Sequence, residues 1–370
     1  MASSRSRSES ADAVIVGGGV IGLACGWRAA QRGLEVTLIE RERPGAGASD
    51  VAAGMLAPVG EASYGEDRLL ELALESHRLW PEFADELAAA TASETGYLEL
   101  GALHVALDGD EAGELRRRFE LMRAHGLDAE WLPPSACREL EPGLGPGGHG
   151  GVHAPHEAAV DPRALTAALA AAFEAEGGRL VIDEVTGAVL DGDRLAGVET
   201  RSGDRHPAAA VVLAAGSWSA AEWLPPEARP PIRPVKGQIL TLRGAAGRPV
   251  CERIVVSERI YVVPRADGRL VIGATVEELG FDTRVTAGGV HELLREAYRL
   301  LPEVAELELF ETVAGLRPAT PDNLPLIGPG AIDGLVLATG HFRNGILLAP
   351  LTGERIAGQL AGERSAAVVR

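Results

Sequence analysis

Three glycines at fixed spacing, Gly17-x-Gly19-x-x-Gly22, are followed by Glu40, 18 residues beyond Gly22. Without Cβ atoms, such a turn lets backbone N–H groups approach an anion closely, and a helix opening there points its positive end at a pyrophosphate. A carboxylate at this distance can accept hydrogen bonds from both hydroxyls of an adenosine ribose and disfavours a 2′-phosphate. The pattern has meaning only between a strand and a helix. Here Ala13 to Val16 reads as a buried parallel strand, Val20 to Gln31 as a helix and Leu34 to Glu40 as a second strand, so a bound dinucleotide is predicted.

Other segments suit a backbone lying against a flat cofactor. The small-residue run Gly45 to Ala53 leads into Gly54-Met55-Leu56, and Val211 to Gly216 is a short apolar strand ending in small residues. Thr339-Gly340-His341-Phe342-Arg343-Asn344-Gly345 precedes a helix predicted from about Ile346 to Leu360. A helix N-terminus at a flavin edge stabilises the negative charge that reduction brings.

The elements that must position these segments follow from periodicity and caps. A helix is predicted over Asp67 to Trp80, interrupted by Pro81, and Leu115, Phe119 and Met122 mark a second amphipathic helix. Asp161 and Pro162 read as N-cap and first-turn proline of a helix over 162–176. Strands are expected at 179–182, 187–190, 195–200, 210–215, 238–242 and 334–338, with 259–264 pairing with 269–274. His149, His153 and His156 fall in a Gly/Pro-rich loop, where Pro155 and the nearby glycines deny the helix that their spacing would need to hold a metal, so no metal is expected.

Composition narrows the function classes. The net charge of −18 repels a phosphate backbone or an anionic membrane surface, so neither nucleic acid nor membrane is expected as a partner. Glycine and proline together are about 19% of the 370 residues, below the roughly 25–30% of low-complexity chains. Three widely spaced cysteines, Cys25, Cys137 and Cys251, make no disulfide framework, and a cytoplasmic location is expected. The apolar run 13–26 is broken by four glycines and followed by Arg28, against a signal peptide. Residues 1–10 read as a disordered tail. Lys236 is the only lysine beside 34 arginines, and an ammonium needed near the first strand of a substrate-binding unit competes with chance as its explanation.

The ordered set Val16 to Gly22, Ala52-Ala53-Gly54-Met55-Leu56, Pro234-Val235-Lys236-Gly237-Gln238, Tyr261-Val262-Val263-Pro264-Arg265, Gly273-Ala274-Thr275, Ala314-Gly315-Leu316-Arg317-Pro318 and Gly340 to Ile346 resembles flavoprotein oxidases of the D-amino-acid oxidase type, in particular the glycine oxidase branch associated with thiamine biosynthesis. The first motif is generic; the last three together are specific. The resemblance implies an α/β fold: a discontinuous Rossmann-like FAD-binding domain (11–90, 147–222, 312–363) and an antiparallel-sheet α+β substrate domain (91–146, 223–311). It implies non-covalent FAD, since no cysteine lies near the C-terminal motifs. It also implies a small amino acid and O₂ as partners, H₂O₂ as a product, a homo-oligomer, and hydride transfer from the α-carbon that needs no protein general base provided the substrate amine arrives neutral.

Residue by residue, the resemblance assigns cofactor contacts to Gly17, Gly19, Val20, Ile21, Gly22, Glu40, Arg41, Ala48, Ser49, Ala53, Gly54, Met55, Val185, Gly216, His341, Phe342, Arg343, Asn344, Gly345, Ile346 and Leu347. Substrate contacts go to Tyr261, Arg317, Arg343 and Met55. Arg317 is the expected carboxylate ligand, because a guanidinium binds a carboxylate bidentately. Two departures from the family pattern stand out: Val276 where methionine is usual, and Asp50 where a small hydroxyl residue is usual. A dehydrogenase using another electron acceptor and a flavin-binding protein without turnover are the competing expectations.

Overall fold

The apolar run at the start of the chain forms the strand Ala11–Val16, paired in parallel with Val36–Glu40 on one side and Arg205–Leu213 on the other. Parallel neighbours Arg179–Ile182 and Leu335–Thr339 extend this sheet at either side. A parallel sheet of this kind is covered on both faces, and the side chains of its first strand alternate between two cores. Ile15 packs with Leu23, Trp27, Trp80, Phe83 and Phe173 under the helices Val20–Gln31, Asp67–Thr91, Pro162–Ala175 and Ala349–Leu360. Val14 and Val16 face the other way, with Val211 and Leu213, toward Leu195 and Val198 of the antiparallel strand Arg194–Thr200. The computed structural model describes residues 10–244 and 249–363; the tail expected over 1–10 therefore lies almost wholly outside the described residues.

A second sheet has eight strands in the order Glu308–Ala319, Arg233–Arg243, Arg269–Gly273, Tyr261–Pro264, Ile254–Val256, Ala102–Val105, Gly151–Ala154, Glu130–Leu132. All its pairings are antiparallel except Ile254–Val256 with Ala102–Val105. Leu293, Ala297 and Leu300 of the helix Ala287–Leu300 cover one face over Leu240, Leu270 and Ile272. A small third sheet joins Met55–Leu56, Ala158–Ala159 and Leu98–Glu99.

Four expectations change. The helix predicted to stop at Trp80 runs on to Thr91 through Pro81, because Phe83, Ala84 and Leu87 continue its buried face; that packing outweighs the roughly 3 kcal/mol a mid-helix proline costs. The last helix starts at Ala349 rather than Ile346: Phe342 has φ 47°, Phe342–Asn344 is a single 3₁₀ turn, and Pro350 fits only the first turn of a helix. Gly151–Ala154 and all of Glu308–Ala319 lie in the second sheet, so sheet membership departs from the expected division within 147–222 and 312–363. His153 consequently sits in a strand rather than a loop, while His156 lies 2.9 Å from Asp128.

Candidate active site

Residues from both large sheets line one cavity of about 1210 Å³. That exceeds the roughly 300–1,000 Å³ of a pocket for a drug-sized ligand and leaves room for a dinucleotide with a small substrate beside it.

At one end lies the glycine turn. Gly17 has φ 107°, and a Cβ there would come within 2.5 Å of the Ala214 carbonyl, so no other residue type fits. Gly19 is the N-cap of the helix Val20–Gln31 and offers no capping side chain; Ser49 Oγ accepts the Val20 N–H at 3.0 Å instead. Glu40 Oε2 accepts the Gly18 N–H at 2.7 Å and Oε1 accepts the Glu42 N–H at 3.0 Å. These bonds fix the carboxylate at the end of its strand, with lone pairs left to face the cavity. Such a cradle, in which backbone and an acid meet the cavity where a side chain would block it, fits FAD.

Of the expected cofactor contacts, Gly17, Gly19, Val20, Ile21, Glu40, Arg41, Ala48, Ser49, Ala53, Gly54, Met55, Val185, Gly216, His341, Phe342, Arg343, Gly345 and Ile346 line the cavity. Gly22, Asn344 and Leu347 do not. A Cβ on Gly22 would sit 1.9 Å from the Gly17 carbonyl, so this glycine serves the close approach of helix and turn. The Leu347 carbonyl is taken by Ser76 Oγ and Trp80 Nε1 at 2.7 and 2.9 Å, and the buried Asn344 accepts the Leu348 N–H through its own carbonyl. His341 is buried with Nε2 3.0 Å from Thr352 Oγ1; burial pulls its pKa down to about 3, so the ring is neutral. None of the three cysteines lines the cavity, and burial pushes the Cys25 and Cys251 thiols up.

At the other end are Arg317 and Tyr261, from strands on opposite sides of Arg233–Arg243 and Arg269–Gly273. Arg317 lies across Gly237, where a Cβ would be 2.3 Å from Nη1, and Tyr261 lies across Gly273, where a Cβ would be 2.3 Å from its hydroxyl. Each glycine makes the room its neighbour occupies. Arg317 Nη1 donates to the carbonyls of Thr275 (3.2 Å) and Lys236 (3.4 Å), and among the described residues no carboxylate is within ion-pairing distance of it. An uncompensated guanidinium beside a phenol is a site for an anion. Burial raises the Tyr261 pKa against the opposing pull of Arg317, keeping the hydroxyl a donor. Met55, also on the cavity wall, packs like Tyr261 against the buried cluster that includes Ile239.

Arg343, expected to touch substrate, lines the cavity but is already paired with Glu61 (3.2 Å) and Glu66 (2.9 Å). Asp50 pairs with Arg43 and Arg163 at 2.8 and 3.3 Å and does not reach the cavity. Val276 stands at the rim, 72% exposed. Lys236 is fully buried outside the cavity, its Nζ 3.3 Å from Glu277, and its backbone bridges Glu277; it anchors the segment carrying Val276 and Phe281 over the mouth. Sequence reasoning missed Glu61, His104, Arg118, Trp218 and Phe281. The Arg41 guanidinium stacks 3.9 Å over Trp218, which meets Phe281 at 5.6 Å; only Trp218, two residues past Gly216, had a local signal.

A dinucleotide cradle on a parallel sheet, continuous with a carboxylate-sized site on an antiparallel one, defines a flavoprotein oxidoreductase architecture. Residues 12–359 match the family described as FAD dependent oxidoreductase (DAO), and the chain belongs to it. It is 39% identical to the bifunctional protein ThiO/ThiG of Trichormus variabilis over 96% of its own length and 53% of that protein, so it spans about half of such relatives. It is 37% identical to the glycine oxidase of Geobacillus kaustophilus over 94% of this chain and 92% of that one. The crystal structure of glycine oxidase from Geobacillus kaustophilus superposes with a TM-score of 0.90, covering 97% of this chain and 96% of that one. Among the described residues no helix is long and apolar enough to cross a membrane.

Proposed function

We propose that the chain oxidises the amine of glycine or a similarly small amino acid, sarcosine and small D-amino acids included, to the imine. In this reading O₂ is the final acceptor, H₂O₂ is released, and the imine serves thiamine thiazole synthesis. The observation that carries it is the unpaired Arg317 beside Tyr261 in the same cavity as the glycine cradle. The first sheet holds the cofactor and the second the substrate. FAD, when bound, supplies the acceptor for a hydride.

The chain's own residues do the rest. Arg317 and the Tyr261 hydroxyl bind the carboxylate, fixing one end of a two-carbon substrate, and Met55 closes the apolar side between substrate and cradle. With one end fixed, the α-carbon can be held at reacting distance, which is catalysis by positioning. Relatives named glycine oxidase, 31–37% identical to this chain, support this choice of substrate. The test is anaerobic mixing of the yellow protein with glycine: bleaching of the flavin supports the reading, and a flavin left oxidised by glycine, sarcosine and D-alanine contradicts it.

A further inference from the structure

Positioning by Arg317 leaves one end of the substrate unexplained, since an amino acid reaches the protein with a protonated amine that cannot give up a hydride. Several charged groups on the cavity wall are also without a role. Glu61 pairs with Arg343, which also reaches Glu66. Arg118 donates to the Gly60 carbonyl, and the Gly60 N–H donates to Glu157 Oε1. Glu157 is 1% exposed with Oε2 unbonded; His104 is 3% exposed with neither ring nitrogen hydrogen-bonded, Nε2 standing 3.9 Å from that oxygen. A Cβ on Gly60 would fall 2.1 Å from His104 Nε2, so this glycine admits the ring. Gly60, Glu61, His104, Arg118, Arg343 and Tyr261 all line the cavity.

The charges do not cancel. Three carboxylates (Glu61 on the cavity wall, Glu66 and Glu157 behind it) gather around two guanidiniums (Arg118, Arg343), while among the described residues no carboxylate pairs with Arg317. One cavity thus carries a negative and a positive pole, matching the two ends of a zwitterion. An unbonded buried imidazole beside an unbonded carboxylate oxygen is a costly arrangement unless a further polar group completes it.

Resting on the function proposed above, we propose that this cluster receives the substrate ammonium and that Glu61 takes its proton before the α-carbon reacts, with Glu157 and His104 stabilising the change of charge behind it. One N–H bond breaks, its electron pair stays on nitrogen as the amine lone pair, and the proton passes to a Glu61 carboxylate oxygen. Glu61 is faced by Arg343, Arg118, Glu157 and Tyr261, with Glu66 reached only through Arg343, and Glu157 is faced by His104 and His77. Burial raises the Glu61 pKa, Arg343 opposes the rise and Glu157 adds to it, which favours a carboxylate that holds a proton.

The experiment is anaerobic stopped-flow reduction of the FAD-loaded protein by glycine, from neutral pH to above the ionisation of the free amine, with Glu61→Gln and Glu61→Asp. Glu61→Gln should reduce at least about 10²-fold more slowly at neutral pH, recover at alkaline pH and show an upward-shifted apparent pKa. Glu61→Asp should keep most of the wild-type profile. Acetate, which has no ammonium, should bind Glu61→Gln no more weakly than wild type. If Glu61→Gln loses FAD, Glu157→Gln gives the same readout with a smaller shift. An unshifted pH profile in the glutamine variant, or an equal loss of rate at every pH, overturns the proposal. Wild-type flavin untouched by glycine, sarcosine and D-alanine at any pH removes the functional reading itself, and this proposal with it.

Discussion

The two ends of the cavity are built on different physical principles. The cradle end is made of backbone: Gly17 and Gly19 immediately precede the helix they open, Val20–Gln31, and the one essential side chain, Glu40, is held by backbone N–H groups. The end proposed to hold the substrate is made of side chains from distant segments, with Arg317 and Tyr261 laid over Gly237 and Gly273 and a polar cluster drawn from residues 60–66, 104, 118, 157 and 343. A backbone cradle depends on its glycines and on the few side chains, Glu40 and Ser49, that its own backbone N–H groups hold. A side-chain site can be retuned one residue at a time while the cradle stays intact, which is how one fold can serve many substrates.

That contrast can be broken by substitution. Gly17→Ala has the largest expected effect: a strained φ and a Cβ 2.5 Å from the Ala214 carbonyl should raise the FAD Kd, read by flavin fluorescence, by about 10²-fold or more. If FAD binding survives unchanged, the cradle is not a backbone device. Gly237→Ala should act on the other end alone, since its Cβ would displace Arg317 Nη1. A drop in kcat/KM of roughly thirtyfold, about 2 kcal/mol, with FAD affinity unchanged is expected; equal losses of both would merge the two ends into one.

The smallest effect sharpens the comparison from the cradle side. His341 is buried neutral, with a folded pKa of about 3 against an ordinary 6.5. Its contribution to stability is full above 6.5 and is lost as pH falls toward 3, by up to about 1.4 kcal/mol per pH unit. His341→Gln should flatten the acid limb of urea-midpoint measurements. An acid limb as steep as that of wild type would contradict the assignment.

The same contrast explains what was legible in the sequence. The cradle is local, so Gly17 to Gly22, Glu40 and the Val20–Gln31 helix follow from spacing and periodicity. Arg317 and Tyr261 emerged only through resemblance to a family, because their juxtaposition depends on two glycines and on strand register across a sheet. Gly22 shows the limit of a motif: its spacing fits the fingerprint, yet its contact is with Gly17. Glu61, His104 and Arg118 carried no signal, since nothing local distinguishes them from solvated charges. Their meeting is set by packing between a loop, a strand and a helix. Pro81 and the start of the last helix at Ala349 were misread for a related reason: tertiary burial overrode a local breaker in one case, and a non-glycine residue in the left-handed region delayed the helix in the other.

The central claim is that Arg317 holds the substrate carboxylate in a site separable from the cradle. Its most direct test is Arg317→Ala, titrated with glycine under anaerobic conditions while its FAD content is read from the same absorbance spectrum. Loss of charge-assisted hydrogen bonds worth about 1.5–3 kcal/mol predicts FAD retained at wild-type level and an apparent glycine affinity weakened by about 10–10²-fold. Unchanged glycine affinity, or loss of FAD together with substrate binding, would contradict it.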